Sequence, residues 1–302
     1  MINSAHSSLT VHPQPTDSQT AQVSVQFWGV RGSVPTPIAS NQRYGGNTVC
    51  VEIKMGDQHI IFDGGTGIVN LGQHLKQEKQ IVDAHILFTH TQWDRIQGFP
   101  FFLPAFSPKN KFAIYGGTAP NGASTKHCLT DQMLKPHFTM PLQNMVADLS
   151  FKHLFTGDRF SMGEVEVEVL KINAETEALG YRLSYKGYTL VYATDTPTAR
   201  VDLDFLNLVH QADLLIYDGT YADLNYLYHQ EAKRSISVNP WESGIDIASK
   251  AKVKQMVLLH HSPVQDDESL DQLQAEIRDR FPTASIAYEG MRIENHNNPL
   301  MH

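Results

Sequence analysis

The sequence predicts an α/β protein, a sandwich of two mixed sheets with helices on its outer faces. Three observations carry that prediction. Short apolar runs rich in Val, Ile, Phe and Tyr recur along the chain, helical stretches separate several of them, and many runs end in a residue able to do chemistry. Apolar runs of about five or six residues bounded by turn formers read as strands, whereas helices need about ten or more residues at a 3.6 period.

In chain order, the predicted strands are Val23–Trp28, Val49–Ile53, His59–Phe62, Ala84–Thr89, Phe112–Tyr115, Val165–Leu170, Gly180–Tyr185, Thr189–Ala193, Asp213–Tyr217 and Gln255–His260. Predicted helices cover Thr66–Lys76, Val201–Gln211, Pro240–Ala251 and Ser269–Phe281, with Asn239 placed to cap the helix that Pro240 opens. Residues 118–150 break the pattern, because Pro120, Gly122, Pro136 and Pro141 interrupt it while Met133, Phe138, Met140, Leu142 and Met145 supply irregular apolar contacts. Two readings are open for this segment: a lid or rim over a pocket, or a packed surface excursion.

Composition bounds the rest. The 302 residues are 41% hydrophobic and 19% charged, an ordinary globular balance, and residues 23–295 are read as one domain. A net charge of −8 leaves no broad cationic field to hold a long nucleic acid. Cys50 and Cys128 are too few for a disulfide framework and read as buried thiols of a reducing compartment. Residues 1–22 are polar, carry no apolar core of a signal peptide, and are expected to form a weakly held arm; 296–302 are expected to be a tail. No apolar run approaches the ~20 residues of a membrane span, so a cytoplasmic protein without a membrane partner is expected.

The chemistry collects at strand ends. His59–Phe62 runs into Asp63, Ala84–Thr89 into His90 with Asp94 four residues on, Thr189–Thr194 into Asp195, Asp213–Tyr217 into Asp218, and Gln255–Leu259 into His260 and His261. In α/β sheets ligands gather beyond the carboxyl ends of the strands, so these residues are expected to converge on one crevice. Any single one is more often a turn former or a cap, and the weight lies in their repetition.

The segment Phe88-Thr89-His90-Thr91-Gln92-Trp93-Asp94-Arg95-Ile96-Gln97-Gly98 resembles the His-x-His-x-Asp-His signature of the metallo-β-lactamase superfamily. The likeness extends along the chain. Phe27-Trp28-Gly29-Val30-Arg31-Gly32-Ser33, Arg43-Tyr44-Gly45-Gly46-Asn47-Thr48, Asp63-Gly64-Gly65-Thr66-Gly67, Tyr192-Ala193-Thr194-Asp195-Thr196 and Leu258-Leu259-His260-His261-Ser262-Pro263 are similar to segments of one branch of phosphodiesterase-like hydrolases. That branch is related to cyclic-nucleotide phosphodiesterases and the tRNA 3′-processing ribonuclease. The resemblance implies the metallo-β-lactamase fold, an αββα sandwich, and a homodimer. It also implies two divalent metals that activate a water and bind phosphoryl oxygens.

Carried over residue by residue, the implied metal set is incomplete. His90, Asp94, Asp195 and His260 stand at family ligand positions, but Gln92 stands at the second histidine and Arg95 at the histidine paired with Asp94. Ala174 falls at the third histidine, and Val238 at a further one before the Pro240 helix. A guanidinium is permanently charged and only donates, so Arg95 opposes a metal and is expected to pair with Asp94 or Asp195 instead. The preferred expectation is therefore a salt-bridged pocket without a cofactor. One Zn, Mn or Fe ion, with Asp94 as the residue that would then matter for catalysis, is the alternative, and a two-metal hydrolase with unrecognised ligands is a third. Without metals, the pocket is expected to bind a nucleotide or phosphodiester-like anion, or a protein partner, through Arg95, Gln92, Arg31 and Lys135. For Arg31 and Arg43 a structural role in holding loops stands beside this, and His127, His137, His229 and His261 read as surface or core histidines.

Overall fold

The structure, a computed structural model, describes residues 22–197, 202–219 and 240–295. Two seven-stranded sheets face each other. The first contains β1 (Val23–Gly29), β2 (Cys50–Met55), β3 (Gln58–Phe62), β4 (Asp83–Leu87), β5 (Lys111–Gly116), β6 (Asp148–His153) and β14 (Arg292–Asn295), in the order β14-β1-β2-β3-β4-β5-β6. The second contains β7 (Arg159–Met162), β8 (Val165–Lys171), β9 (Leu179–Tyr185), β10 (Tyr188–Ala193), β11 (Leu214–Asp218), β12 (Gln255–Leu259) and β13 (Ala284–Ile286), in the order β13-β12-β11-β10-β9-β8-β7.

Each sheet is antiparallel on one side and parallel on the other. Strands β14, β1, β2 and β3 pair antiparallel, and β3, β4, β5 and β6 run parallel. In the second sheet β7 to β10 pair antiparallel, and β10, β11, β12 and β13 run parallel. Tight turns suffice for the antiparallel hairpins, while the parallel pairs need crossovers that place helices on the outer faces.

The inner faces form one apolar core. Val25 and Phe27 of β1, Val51 and Ile53 of β2 and Phe62 of β3 pack against Val167, Tyr181, Leu190, Tyr192 and Ile216 of the opposing sheet. Phe62 stacks on Tyr192 at a 4.3 Å centroid separation. β1 alternates buried and half-buried residues, as expected of a strand with one face on the core. A second cluster lies under α4 (Leu203–Val209), α5 (Pro240–Lys250) and α6 (Asp267–Arg280). A third lies under α1 (Gly67–Glu78) and α2 (Trp93–Ile96).

Residues 118–150 carry α3 (Thr125–Asp131) and a 3-10 turn at Leu142–Asn144. Met133, Leu142 and Met145 are buried in the third cluster, with Phe138 packed against it. Gln132 Nε2 donates to Ile96 O at 3.1 Å, and the Phe138 ring meets Phe101 edge-on at 5.3 Å. The segment is thus packed and also tied directly to α2.

The predicted helices appear with shifted ends. Asp202 caps α4 by accepting from Phe205 N at 2.8 Å, which starts that helix at Leu203. Asp266 does the same for α6 through Ser269 N. The expected cap Asn239 lies outside the described residues, as do His229 and Val238. Among the described residues no helix is long and apolar enough to cross a membrane.

Candidate functional site

Asp63 follows β3, His90 follows β4, Asp195 follows β10, Asp218 ends β11 and His260 follows β12, all at the carboxyl ends of parallel strands. Three of them, Asp63, Asp195 and His260, hold left-handed backbone conformations with φ of 59°, 67° and 65°. A non-glycine residue in that region costs on the order of 1–3 kcal/mol and persists where surrounding contacts impose it, typically at functional sites.

Three glycines explain how α2 is brought against this crevice. Gly64 N donates to Arg95 O at 2.6 Å and Gly98 N to Gly64 O at 2.9 Å. A Cβ at Gly98 would lie 2.1 Å from Gly65 O, and one at Gly65 would lie 2.6 Å from Asp94 O. Neither position has room for a side chain, so the glycine turn and α2 pack backbone to backbone. Thr48 and Thr66 lock the same turn, each hydroxyl accepting from the other's N–H at 2.9 and 2.8 Å.

Arg95 lies at the centre, its side chain 0% exposed. Its Nη1 donates to Asp63 Oδ2 at 2.9 Å and to Thr194 Oγ1 at 3.1 Å, while Nε stands 3.5 Å from Asp94 Oδ2. Sequence reasoning expected Asp94 or Asp195 as its partner. The principal partner is Asp63, with Asp94 in a longer ion contact. Burial works against the Arg95 charge, but Asp63 and then Asp94 outweigh it and hold the guanidinium above its ordinary pKa. Its Nε and Nη2 make no directed hydrogen bond, so charge balance rather than donor matching fixes this residue.

Asp63 is fully satisfied. It accepts from Thr89 N at 2.8 Å, from Thr89 Oγ1 at 2.9 Å, from Arg95 and from Tyr192 OH at 3.2 Å. Asp94 Oδ2 accepts from Ser33 N at 3.3 Å and lies 3.0 Å from His260 Nε2. Burial works to raise the Asp94 carboxyl, but His260 and Arg95 hold it well below the usual carboxylate range. His260 Nδ1 is 3.7 Å from Asp218 Oδ1, which places the imidazole between two carboxylates. Burial pushes Asp218 up to about 6 against the opposing charge of His260.

The remaining positions are turned to local partners. His90 Nε2 lies 3.1 Å from Gln92 Oε1, and its Nδ1 lies 3.0 Å from Thr89 Oγ1. The Asp195 carboxylate accepts from Asn173 Nδ2 at 3.1 Å and from Thr176 Oγ1, both in the loop that contains Ala174. Among the described residues, no group of three or more His, Cys, Asp or Glu is arranged to hold a metal ion.

Of the predicted contact residues, Gln92 and Lys135 are exposed. Arg31 is committed to loops, donating from Nε to Gly45 O at 2.7 Å and from Nη1 to Ser262 O at 3.2 Å and Gln265 O at 2.6 Å. Arg43 likewise pairs with Asp271 at 2.6 Å. His261 is a core residue whose Nε2 donates to Ala287 O at 2.7 Å, and burial depresses it to about 3. Sequence reasoning missed Asn173 and Thr176 as partners, for lack of any local signal, and placed Tyr192 and Thr194 in a family-like segment without giving them a role. Asp63 and Asp218 carried one, as acids at strand ends, yet were not set among the site residues.

Residues 58–261 match the family described as a beta-lactamase superfamily domain. The chain is 32% identical over 107 residues to ribonuclease Z of Alkaliphilus oremlandii, covering 35% of this chain and 31% of that protein. Ribonuclease Z of Brevibacillus brevis is 30% identical over 105 residues, covering 33% and 31%. The match therefore spans about a third of the length of these curated relatives. Among solved structures, the metallo-beta-lactamase fold protein YhfI of Bacillus subtilis superposes with a TM-score of 0.63 at 19% identity, covering 91% of this chain and 100% of that one. A diphosphatase from the PhnP family gives a TM-score of 0.64 at 16% identity, covering 90% and 97%.

Proposed function

Starting from the fact that the chain belongs to the beta-lactamase superfamily domain family, we propose that it is a non-hydrolytic binding member of that family. In this reading Arg95 supplies the positive charge that metals supply in hydrolytic relatives. The observation that carries it is the fully buried Arg95 guanidinium, 2.9 Å from Asp63 and 3.5 Å from Asp94.

The donor set does not fit a two-metal centre. Gln92 and Ala174 bring no imidazole, the Asp195 carboxylate is held by Asn173 and Thr176, and a cation already stands beside Asp94. A divalent ion bound at Asp94 would lie about 4 Å from that guanidinium. Two unit charges at that distance interact by about 4 kcal/mol at an effective dielectric near 20, so a divalent ion would be repelled by about 8 kcal/mol. That repulsion subtracts from what the three remaining donors, Asp94, Asp195 and His260, could supply.

The ligand expected from the resemblance, a nucleotide or phosphodiester-like anion, is placed by this reading at the mouth rather than the floor. Asp63, Asp94 and Asp195 make the floor acidic, and Arg95 is committed to the first two of them. This reading sets the mouth at the start of α2, where Gln92 and the 65% exposed Trp93 stand, and assigns to it the exposed Lys135 of the segment that Gln132 ties to α2. An exposed indole offers a face on which a base can stack, and a lysine offers a point charge for phosphate. A metal-dependent phosphodiester hydrolase is the second reading, favoured by Asp94 and His260 remaining 3.0 Å apart. A homodimer belongs to the same proposal and is read by sedimentation.

The test is a thermal-shift titration with mono- and dinucleotides on the wild type, Lys135→Ala and Trp93→Ala, beside turnover of a generic phosphodiester in added Mn²⁺ or Zn²⁺. The proposal predicts nucleotide stabilisation that weakens in both variants, with no turnover. Metal-dependent turnover that Asp94→Ala abolishes would establish the second reading instead. If no nucleotide shifts the melting temperature, the small-molecule reading fails and a protein partner remains.

A further inference from the structure

At the opposite end of the first sheet from the strand-end crevice lies a cavity built from residues that the crevice does not use. Its walls come from the end of α1, the segments just before β4 and β5, and the 3-10 turn at Leu103–Phe106. The volume is about 460 Å³, inside the range of roughly 300–1,000 Å³ usual for small-molecule sites.

The floor is apolar and stiff. Leu75, Val82 and Pro104 line it with buried side chains. Buried Asn110 pins two walls at once, accepting from Val82 N at 3.0 Å through Oδ1 and donating from Nδ2 to Pro104 O at 2.9 Å. At the mouth Ile81 is 69% exposed, an apolar side chain left in water beside an apolar cavity.

The rim is basic. Lys76, Lys79 and Lys109 surround the opening, all exposed. Elsewhere Lys54, Lys171, Lys186 and Lys254 each reach a carboxylate within 3.4 Å. The three rim lysines make no such pair among the described residues. Lys76 complements the partial negative charge at the carboxyl end of α1. Lys79, the left-handed cap with φ 55°, and Lys109, from a separate segment, are not required for that. A local unpaired positive rim in a chain of net charge −8 selects an anion, and the apolar floor selects one with a hydrocarbon body.

We propose that this cavity binds a free medium-chain acyl carboxylate, its chain on Leu75, Val82 and Pro104 and its carboxylate among Lys76, Lys79 and Lys109. The binding is independent of the strand-end crevice and of whether that crevice is catalytic.

Isothermal titration of the full-length protein with decanoate, below its micellar concentration, tests this, with decanol as the uncharged control. Saturable binding of one decanoate per chain is expected, with decanol weaker. Lys79→Glu/Lys109→Glu should weaken decanoate about tenfold, as expected for losing and reversing two partly exposed charge contacts, while its circular dichroism stays that of the wild type. In the wild type, decanoate should shift the Ile81 methyl resonances. Absence of saturable binding, equal affinity in the charge-reversed variant, or binding only to anionic phospholipid vesicles would each overturn the proposal.

Discussion

Replacing Arg95 by Met keeps most of the side-chain volume and removes its charge. Asp63 and Asp94 then stay buried without the guanidinium that both contact. Removing one partner of a buried pair typically costs about 3–5 kcal/mol, because the other charge stays buried and uncompensated. For a domain of this size each kcal/mol corresponds to about 2–4 °C, so Arg95→Met should melt on the order of 10 °C below the wild type. Differential scanning calorimetry reads this directly. Adding Asp63→Asn should return part of the loss, since a neutral amide can still accept from Thr89 through its one oxygen and donate from its nitrogen to the Tyr192 hydroxyl. An Arg95→Met melting temperature within about 1 °C of the wild type would refute the claim that this guanidinium holds the carboxylates together.

Three further outcomes follow from particular contacts. Tyr192→Phe removes one donor from a fully satisfied Asp63 and should cost about 1 kcal/mol in urea unfolding. Gly98→Ala, whose methyl would meet Gly65 O at 2.1 Å, should cost about 2 kcal/mol or more and loosen α2, read by amide exchange at Gly64 and Gly98. Glu52, buried on β2, lies 2.8 Å from His59 Nε2 and accepts from Trp28 Nε1 at 3.0 Å. Burial would raise it, but His59 and Lys54 outweigh burial and hold it at about 2, below its ordinary 4.5. A depressed carboxyl stabilises the folded state above the unfolded value and loses that contribution as pH falls toward the folded one. The pH-dependent stability that this shift confers, about 3 kcal/mol in full, should be lost progressively by the wild type below pH about 4.5 and be absent from the unfolding profile of Glu52→Gln.

The strands that build the core were legible in the sequence because they are short, β-branched or aromatic, and bounded by turns. β3, β9, β10, β11 and β12 fall where periodicity placed them, to within one or two residues. β6, β7, β13 and β14 were not, because Asp148–His153, Arg159–Met162 and Arg292–Asn295 are polar strands toward the sheet edges, and Ala284–Ile286 is only three residues long. Their pairing is imposed by neighbouring strands rather than by their own pattern. The four-residue α2 is likewise held by backbone contacts with Gly64 and Gly65, not by helix propensity.

The crevice was half legible. An acid or imidazole just past a strand marks itself, and Asp63, His90, Asp195, Asp218 and His260 do so. Which of them pair does not follow from the sequence. Arg95 was expected to seek Asp94 or Asp195, yet the turn after β3 brings Asp63 to it from 32 positions away. Arg31 bonds a carbonyl 234 positions distant, and Asn173 and Thr176 reach Asp195 across a loop whose sequence carries no motif of its own. Long-range pairing is a property of the packed sandwich, and only the ends of its strands are written locally.

The most direct test of the central claim is the metal content of protein purified without chelator and dialysed against Zn²⁺, Mn²⁺ or Fe²⁺ before removal of free ion. With Arg95 beside Asp94, the account predicts well below one bound ion per chain for every metal. About one ion per chain that disappears in Asp94→Ala would contradict it.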